Sequence, residues 1–151
     1  GYAVAASNGH YGSPANLILP SRAAGMHDGW ETARDPHRPP VFALGPDGYL
    51  VSPHCESCVF RMGLRGVIDS VHVDTEFFKG NYPESCLLQG TDHPGPDLDN
   101  ADWFDIVPRS RLTANALHSF ESSSGNPCTH VKLSIFPDGG VSRLRVFGYI
   151  V

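Results

Sequence analysis

Three short segments set ionisable or donating side chains beside turn residues. In the first, DGWETAR at residues 28–34, Glu31 and Arg34 are three residues apart. One helical turn would bring them side by side, with Glu31 able to give or take a proton and Arg34 able to clamp an anion. The plainer alternative is a surface ion pair, which contributes little. Trp30 reads as a core or loop anchor. In the second, VDTEFFKGNYP at residues 73–83, Val71 and Val73 face the core, so His72 and Asp74 share the other face. Two such ligands can bind a divalent metal, although that spacing alone is weak evidence. Gly80-Asn81 reads as a turn in which Asn81 tolerates positive φ and presents an amide that both donates and accepts.

The third segment, THVKLSIFPDGGVSRLRVFG at residues 129–148, reads as two antiparallel strands joined by a tight turn. Val131, Leu133 and Ile135 alternate with His130, Lys132 and Ser134. Pro137-Asp138-Gly139-Gly140 then breaks the ladder. Beyond it, Leu144 and Val146 share one face and Arg143 and Arg145 the other. A hairpin of this kind places His130, Asp138, Arg143 and Arg145 at or near its exposed side. Two guanidinium forks on one face suit a carboxylate. The alternative is an ordinary solvated sheet face.

The elements that must carry these groups are strands. The chain of 151 residues is long enough for one domain with its own core. Sixteen glycines and 13 prolines favour turns over long helices. Period-2 segments predict strands near 57–62, 67–75, 85–90, 103–108, 117–121, 129–136 and 141–148. Residues 1–25 read as an irregular opening around a turn at Ser13-Pro14, and 35–54 as a long surface loop with one possible hairpin at Asp47-Gly48. Residues 91–101 read as a loop. Short strands at this spacing predict an all-β, antiparallel β-sandwich or jelly roll with its ligand on the loop tips.

Composition excludes some classes. A formal charge of −5 and no basic stripe argue against nucleic acid. No apolar run approaches the roughly 20 residues of a membrane helix, and nothing marks a secretory signal. Cys55 and Cys58 form a C-x-x-C, but Cys86 and Cys128 stand alone, which favours reduced thiols over a zinc site. There is no G-x-S-x-G elbow, H-E-x-x-H or P-loop.

GWETAR, VDTEFFKGNYP, VPRSRL at 107–112 and the 129–148 segment, in that order, resemble the allantoicase repeat. The resemblance covers nearly the whole chain. Family members carry two such repeats in tandem, each a jelly roll similar to galactose-binding domains, and hydrolyse allantoate to ureidoglycolate and urea in purine catabolism. The opening SNGHYGSPANLI, Pro36-His37-Arg38-Pro39-Pro40 and the insert up to Cys55 resemble the C-terminal repeat. Only one repeat is present here, so a second repeat is an implied partner, together with a homo-oligomer. The implied location is cytoplasmic, with the peroxisome as alternative.

The resemblance implies a site for a carbon bearing one carboxylate and two ureido groups. Arg34, Arg143 or Arg145 would clamp the carboxylate, and Glu31 or Asp74 would transfer protons. Asn81 and His130 would orient a ureido group, and Asp138 would complete the binding set. No cofactor is required by this chemistry. A divalent metal remains an option through His72, Asp74 and His130. The expected cleft is built from residues 28–34, 74–83 and 137–143. A competing reading from another class is a non-catalytic jelly-roll module for binding or assembly.

Overall fold

A computed structural model describes residues 1–151. Nine strands follow one another: β1 Tyr2–Ala6, β2 Trp30–Glu31, β3 Glu56–Asp74, β4 Ser85–Thr91, β5 Phe104–Arg111, β6 Leu117–Glu121, β7 Cys128–Phe136, β8 Gly140–Val141 and β9 Arg143–Ile150. Two 3-10 turns, Pro14–Ile18 and Met26–Asp28, are the only helical elements. Every strand pairing is antiparallel.

Strand β3 organises the sandwich. Its first half, up to Arg61, pairs with β1 and β7, and β7 continues to β4 and β5. From Gly66 to Asp74 it pairs with β9, and from Ser70 to Asp74 with β6 on its other side. The register breaks between Arg61 and Gly66, where the strand leaves one layer for the other. The two layers face each other across an 18-residue core cluster that mixes Cys58, Phe60 and Leu133 with Val71, Val73 and Leu144. Period-2 apolar residues from both layers fill it, as a jelly-roll sandwich requires.

The segments predicted from alternation all carry strand, with shifted bounds: 57–62 and 67–75 fuse into the single β3, and 141–148 is split at Ser142 into β8 and β9. Residues 91–101 contain no strand beyond Thr91, and residues 35–54 contain one bridge, Leu44 to Leu50, around Asp47-Gly48. The opening segment differs from expectation. It contains β1 and the Pro14–Ile18 turn, whose cap is Ser13: its Oγ accepts the Ala15 N–H at 3.2 Å. Leu17 in that turn is wholly buried.

The expected hairpin of residues 129–148 is not formed. β7 lies between β3 and β4, whereas β9 pairs with the far half of β3. The 137–142 connection therefore crosses between layers. Its backbone groups bond elsewhere: Gly139 O accepts from Thr32 N at 3.0 Å, and Gly140 N donates to Asn81 O at 2.8 Å. Alternation reports which face each residue takes but not which neighbour the strand finds. The exposed polar side assigned to the hairpin fails with it. His130, Asp138 and Arg143 are all buried.

Leu133 is fully buried at the centre of β7. Leu133→Ala should cost about 2–5 kcal/mol of stability in denaturant unfolding; a loss under 1 kcal/mol would contradict its central packing. The cysteines give a second check. None is in a disulfide, and only Cys55 is exposed. Burial pushes the Cys86 thiol up to about 12 and Cys128 up to about 11, and raises Cys58 as well. A thiol reagent near neutral pH should label one cysteine quickly in the native chain and all four only after unfolding.

Candidate functional site

Three separate stretches meet at one end of the sandwich because a short two-stranded ladder joins them. Trp30 pairs with Val141 and Glu31 with Gly140. Trp30 is completely buried, its indole N–H donating to Asn8 O at 2.7 Å, so it anchors the segment as expected. Thr32, also buried, locks the next residue pair: Gly139 N donates to its Oγ1 at 3.0 Å. The predicted helical turn over Glu31–Arg34 is therefore absent. Residues 30–31 are strand, and Glu31 and Arg34 form no ion pair with each other.

The close approach depends on small residues. Gly139 has φ +128°, and a Cβ there would lie 2.5 Å from Asn81 O. A Cβ on Gly140 would lie 2.0 Å from the buried Phe78 ring. Side chains at either position would separate the 78–82 loop from the 28–34 segment.

The result is a polar cleft of about 680 Å³. Its walls include Glu31 and Arg34, then Asn81, then Asp138, so the three expected segments contribute together. Asn81 does not use positive φ; its side-chain amide donates to Glu31 Oε1. Glu31 Oε2 takes no hydrogen bond from the chain, and Arg34 is exposed with no polar partner. Asp138 is committed on both oxygens: Oδ1 accepts from Arg38 Nη1 at 2.6 Å and Oδ2 from Asp35 N at 3.1 Å.

Four expected residues lie elsewhere. Asp74 ends β3 outside the cleft, buried, with Arg22 Nε at 3.1 Å and the Glu76 N–H at 3.0 Å on its carboxylate. Arg143 is a strut: its guanidinium donates to the carbonyls of Ser21, Asp28 and Ser142 and to Asp28 Oδ2 at 2.8 Å. The Asp28 carboxyl is held below its usual range by the Ala24 N–H and by Arg143. Arg145 likewise donates to the carbonyls of Leu17, Leu19 and Ser21. It borders a different, more apolar hollow of about 350 Å³. His130 is buried in β7 beside Thr129 Oγ1 at 2.9 Å, and burial with nearby Arg61 and His93 lowers its pKa.

His72, Asp74 and His130 do not come together, and no group of three or more His, Cys, Asp or Glu side chains is placed so that it could hold a metal ion. His72 instead meets the Phe147 ring edge-on at 4.8 Å.

Several cleft residues escaped the sequence reading. Arg38, Phe42 and Leu50 come from the loop that was expected to lie on the surface, and Glu84, Arg111 and Thr113 from strand ends. The loop is pinned down by Glu84 Oε2, which accepts the Leu50 N–H at 2.7 Å, and by Arg109, which donates to Leu50 O at 3.0 Å. The Pro36–Pro40 motif and the Asp47-Gly48 turn mark this region in the sequence, but neither implies a role for Arg38.

The allantoicase-repeat family model matches residues 1–151. A probable allantoicase of Pseudomonas savastanoi is 40% identical over 99% of this chain and 43% of its own length. A probable allantoicase of Schizosaccharomyces pombe is 39% identical over 98% of the chain and 40% of its own length. The solved allantoicase of Saccharomyces cerevisiae superposes with a TM-score of 0.79 at 34% identity, over 97% of this chain and 40% of that one. A family 32 carbohydrate-binding module from Streptococcus pneumoniae shares the fold alone, with a TM-score of 0.65 at 6% identity. The chain thus spans about two-fifths of the length of these relatives. With the family model matched from end to end and two-fifths-length similarity to allantoicases, the chain belongs to the allantoicase repeat family.

Proposed function

We propose that this chain serves the hydrolysis of allantoate to ureidoglycolate and urea, through the cleft at the end of the sandwich. One observation carries the reading: Glu31 Oε2 and the Arg34 guanidinium stand uncommitted on the same cleft, while the other candidate charges are already bound within the fold. Arg34 takes the carboxylate through a bidentate fork. Asn81 holds Glu31 in place and offers its own carbonyl oxygen to a ureido N–H.

The chemistry then needs one proton carrier. The Glu31 carboxyl gives a proton to the departing ureido nitrogen. The bond from that nitrogen to the central carbon breaks as the remaining ureido nitrogen shares its lone pair with the carbon. Urea leaves. Water adds its oxygen to the carbon and returns a proton to Glu31, so one water is consumed for each urea released. No metal or cofactor enters these steps.

The partners we propose are a second allantoicase repeat and further copies of the protein. The short length relative to family members supports the first. Phe147, Tyr149, Ile150 and Val151, all exposed at the end of β9, supply apolar surface for such packing. The four unpaired cysteines support a reducing compartment, the cytoplasm.

Urea release from allantoate by this chain, measured beside an intact two-repeat protein, tests the reading. In whichever is active, Glu31→Gln should lower kcat by about 10²–10⁴-fold with little change in KM. Arg34→Lys should raise KM about 10- to 100-fold, because a point charge replaces a planar fork. Unchanged urea release with a lowered Tm in both variants would make these residues braces. Allantoate bound without turnover, in both proteins, would favour the non-catalytic module.

A further inference from the structure

Arg34 is not the only guanidinium on the cleft. Arg38 also lines it, and its setting differs from those of Arg109, Arg143 and Arg145. Arg143 and Arg145 spend their donors on backbone carbonyls. Arg109 spends its donors on Ser85, Leu50 and Glu84. Arg38 has one partner, Asp138, reached through Nη1 alone. Its Cζ lies over the Phe42 ring, 5.5 Å from the centroid, within cation–π range. Its Nε is shut off from solvent and has no hydrogen-bond acceptor. A buried donor left in that state is unfavourable.

From this we infer that Arg38 is a second carboxylate-binding residue of the cleft, and that Asp138 is the residue that positions it. The inference rests on the cleft being the substrate site and deepens that reading. The Nε and Nη2 donors lie along one edge of the guanidinium, and that edge is the one Asp138 leaves unused. A ligand carboxylate entering the cleft meets Nη2, the terminal donor that Asp138 leaves unused and that is not sealed from solvent. Asp138 cannot itself meet a carboxylate favourably, being an anion. Its two oxygens tie Arg38 and the Asp35 N–H to the 137–140 crossing, so it sets where the guanidinium stands. The sequence reading had made Asp138 a substrate contact; here it acts through Arg38.

A matched pair of small ligands separates these roles: N-carbamoylglycine, which has one ureido group and one carboxylate, and its neutral amide. Dissociation constants are measured for this chain by calorimetry or NMR titration at fixed ionic strength. The native chain should prefer the acid by about tenfold or more. Arg38→Ala should reduce that preference to the part that Arg34 supplies, while changing the amide's affinity little. Asp138→Asn, which keeps an acceptor for the Asp35 N–H, should reduce the preference as well. The double variant should be no worse than Arg38→Ala alone, since the two residues act as one unit. A purely structural Asp138 would instead weaken both ligands equally and lower Tm without this coupling. Should Asp138→Asn not fold, Asp138→Glu, which moves the charge by one methylene, takes its place with the same expectation. Full acid preference in Arg38→Ala, with its loss in Arg34→Ala, would overturn the inference and leave the cleft reading standing. Failure of the native chain to bind either ligand would overturn both.

Discussion

Everything at the cleft depends on a close backbone approach that only glycine permits. Gly139 and Gly140 sit where the 137–142 crossing, the 78–82 loop and the 28–34 segment touch. A Cβ on either would strike Asn81 O or the Phe78 ring. Because neither has one, Gly140 N reaches Asn81 O at 2.8 Å and Gly139 O reaches Thr32 N at 3.0 Å. These bonds set Asn81 against Glu31 and Asp138 against Arg38. The crossing is thus a three-way clamp whose sites follow from backbone geometry. Thr32 adds a buried hydroxyl that both gives to and accepts from Gly139, so no polar group is stranded where the segments meet.

The sandwich itself was legible because its evidence is local. Val71, Val73, Val131, Leu133 and Ile135 alternate with polar neighbours, and the core that they form is a direct consequence of period-2 geometry. The pairing of strands was not legible. Residues 129–136 and 141–148 look like a hairpin because a Pro-Asp-Gly-Gly turn joins them. Yet the partner of each strand is a different half of β3, some 60 to 80 residues away in the chain. Nothing within the segment itself distinguishes the two outcomes. The misreading carried His130 and Arg143 into the expected site, since a hairpin face would have exposed them.

Arginines show where residue type stops being informative. Arg34, Arg38, Arg143 and Arg145 have the same fork and charge. Their roles diverge through the number of donors already used, and for all but Arg34 most of those uses come from contacts 100 or more residues distant in sequence. Arg143 is almost fully buried and nearly saturated by carbonyls, a setting that ties the 21–28 segment onto β9. Arg38 lay in a proline-rich loop with no periodicity to read, and only the folded position of Asp138 reveals it.

The charges of the cleft also explain why it suits a ligand that is anionic at one end and a hydrogen-bond donor at the other. Arg34, Arg38 and Arg111 line the same space as Glu31, Glu84 and Asp138. Two of these six are largely spent inside the fold, Asp138 on Arg38 and Asp35 and Glu84 on Leu50 and Arg109, while exposed Arg111 gives one bond, to Gly48 O at 2.9 Å. What remains is cationic at Arg34, at Arg111 and at the Nη2 end of Arg38, and accepting at Glu31 Oε2 and Asn81 Oδ1. A simple anion would satisfy only the first, and an amide or urea only the second. A molecule holding a carboxylate and a ureido group on one carbon satisfies both at once, and it does so next to the one carboxyl group still free to move a proton.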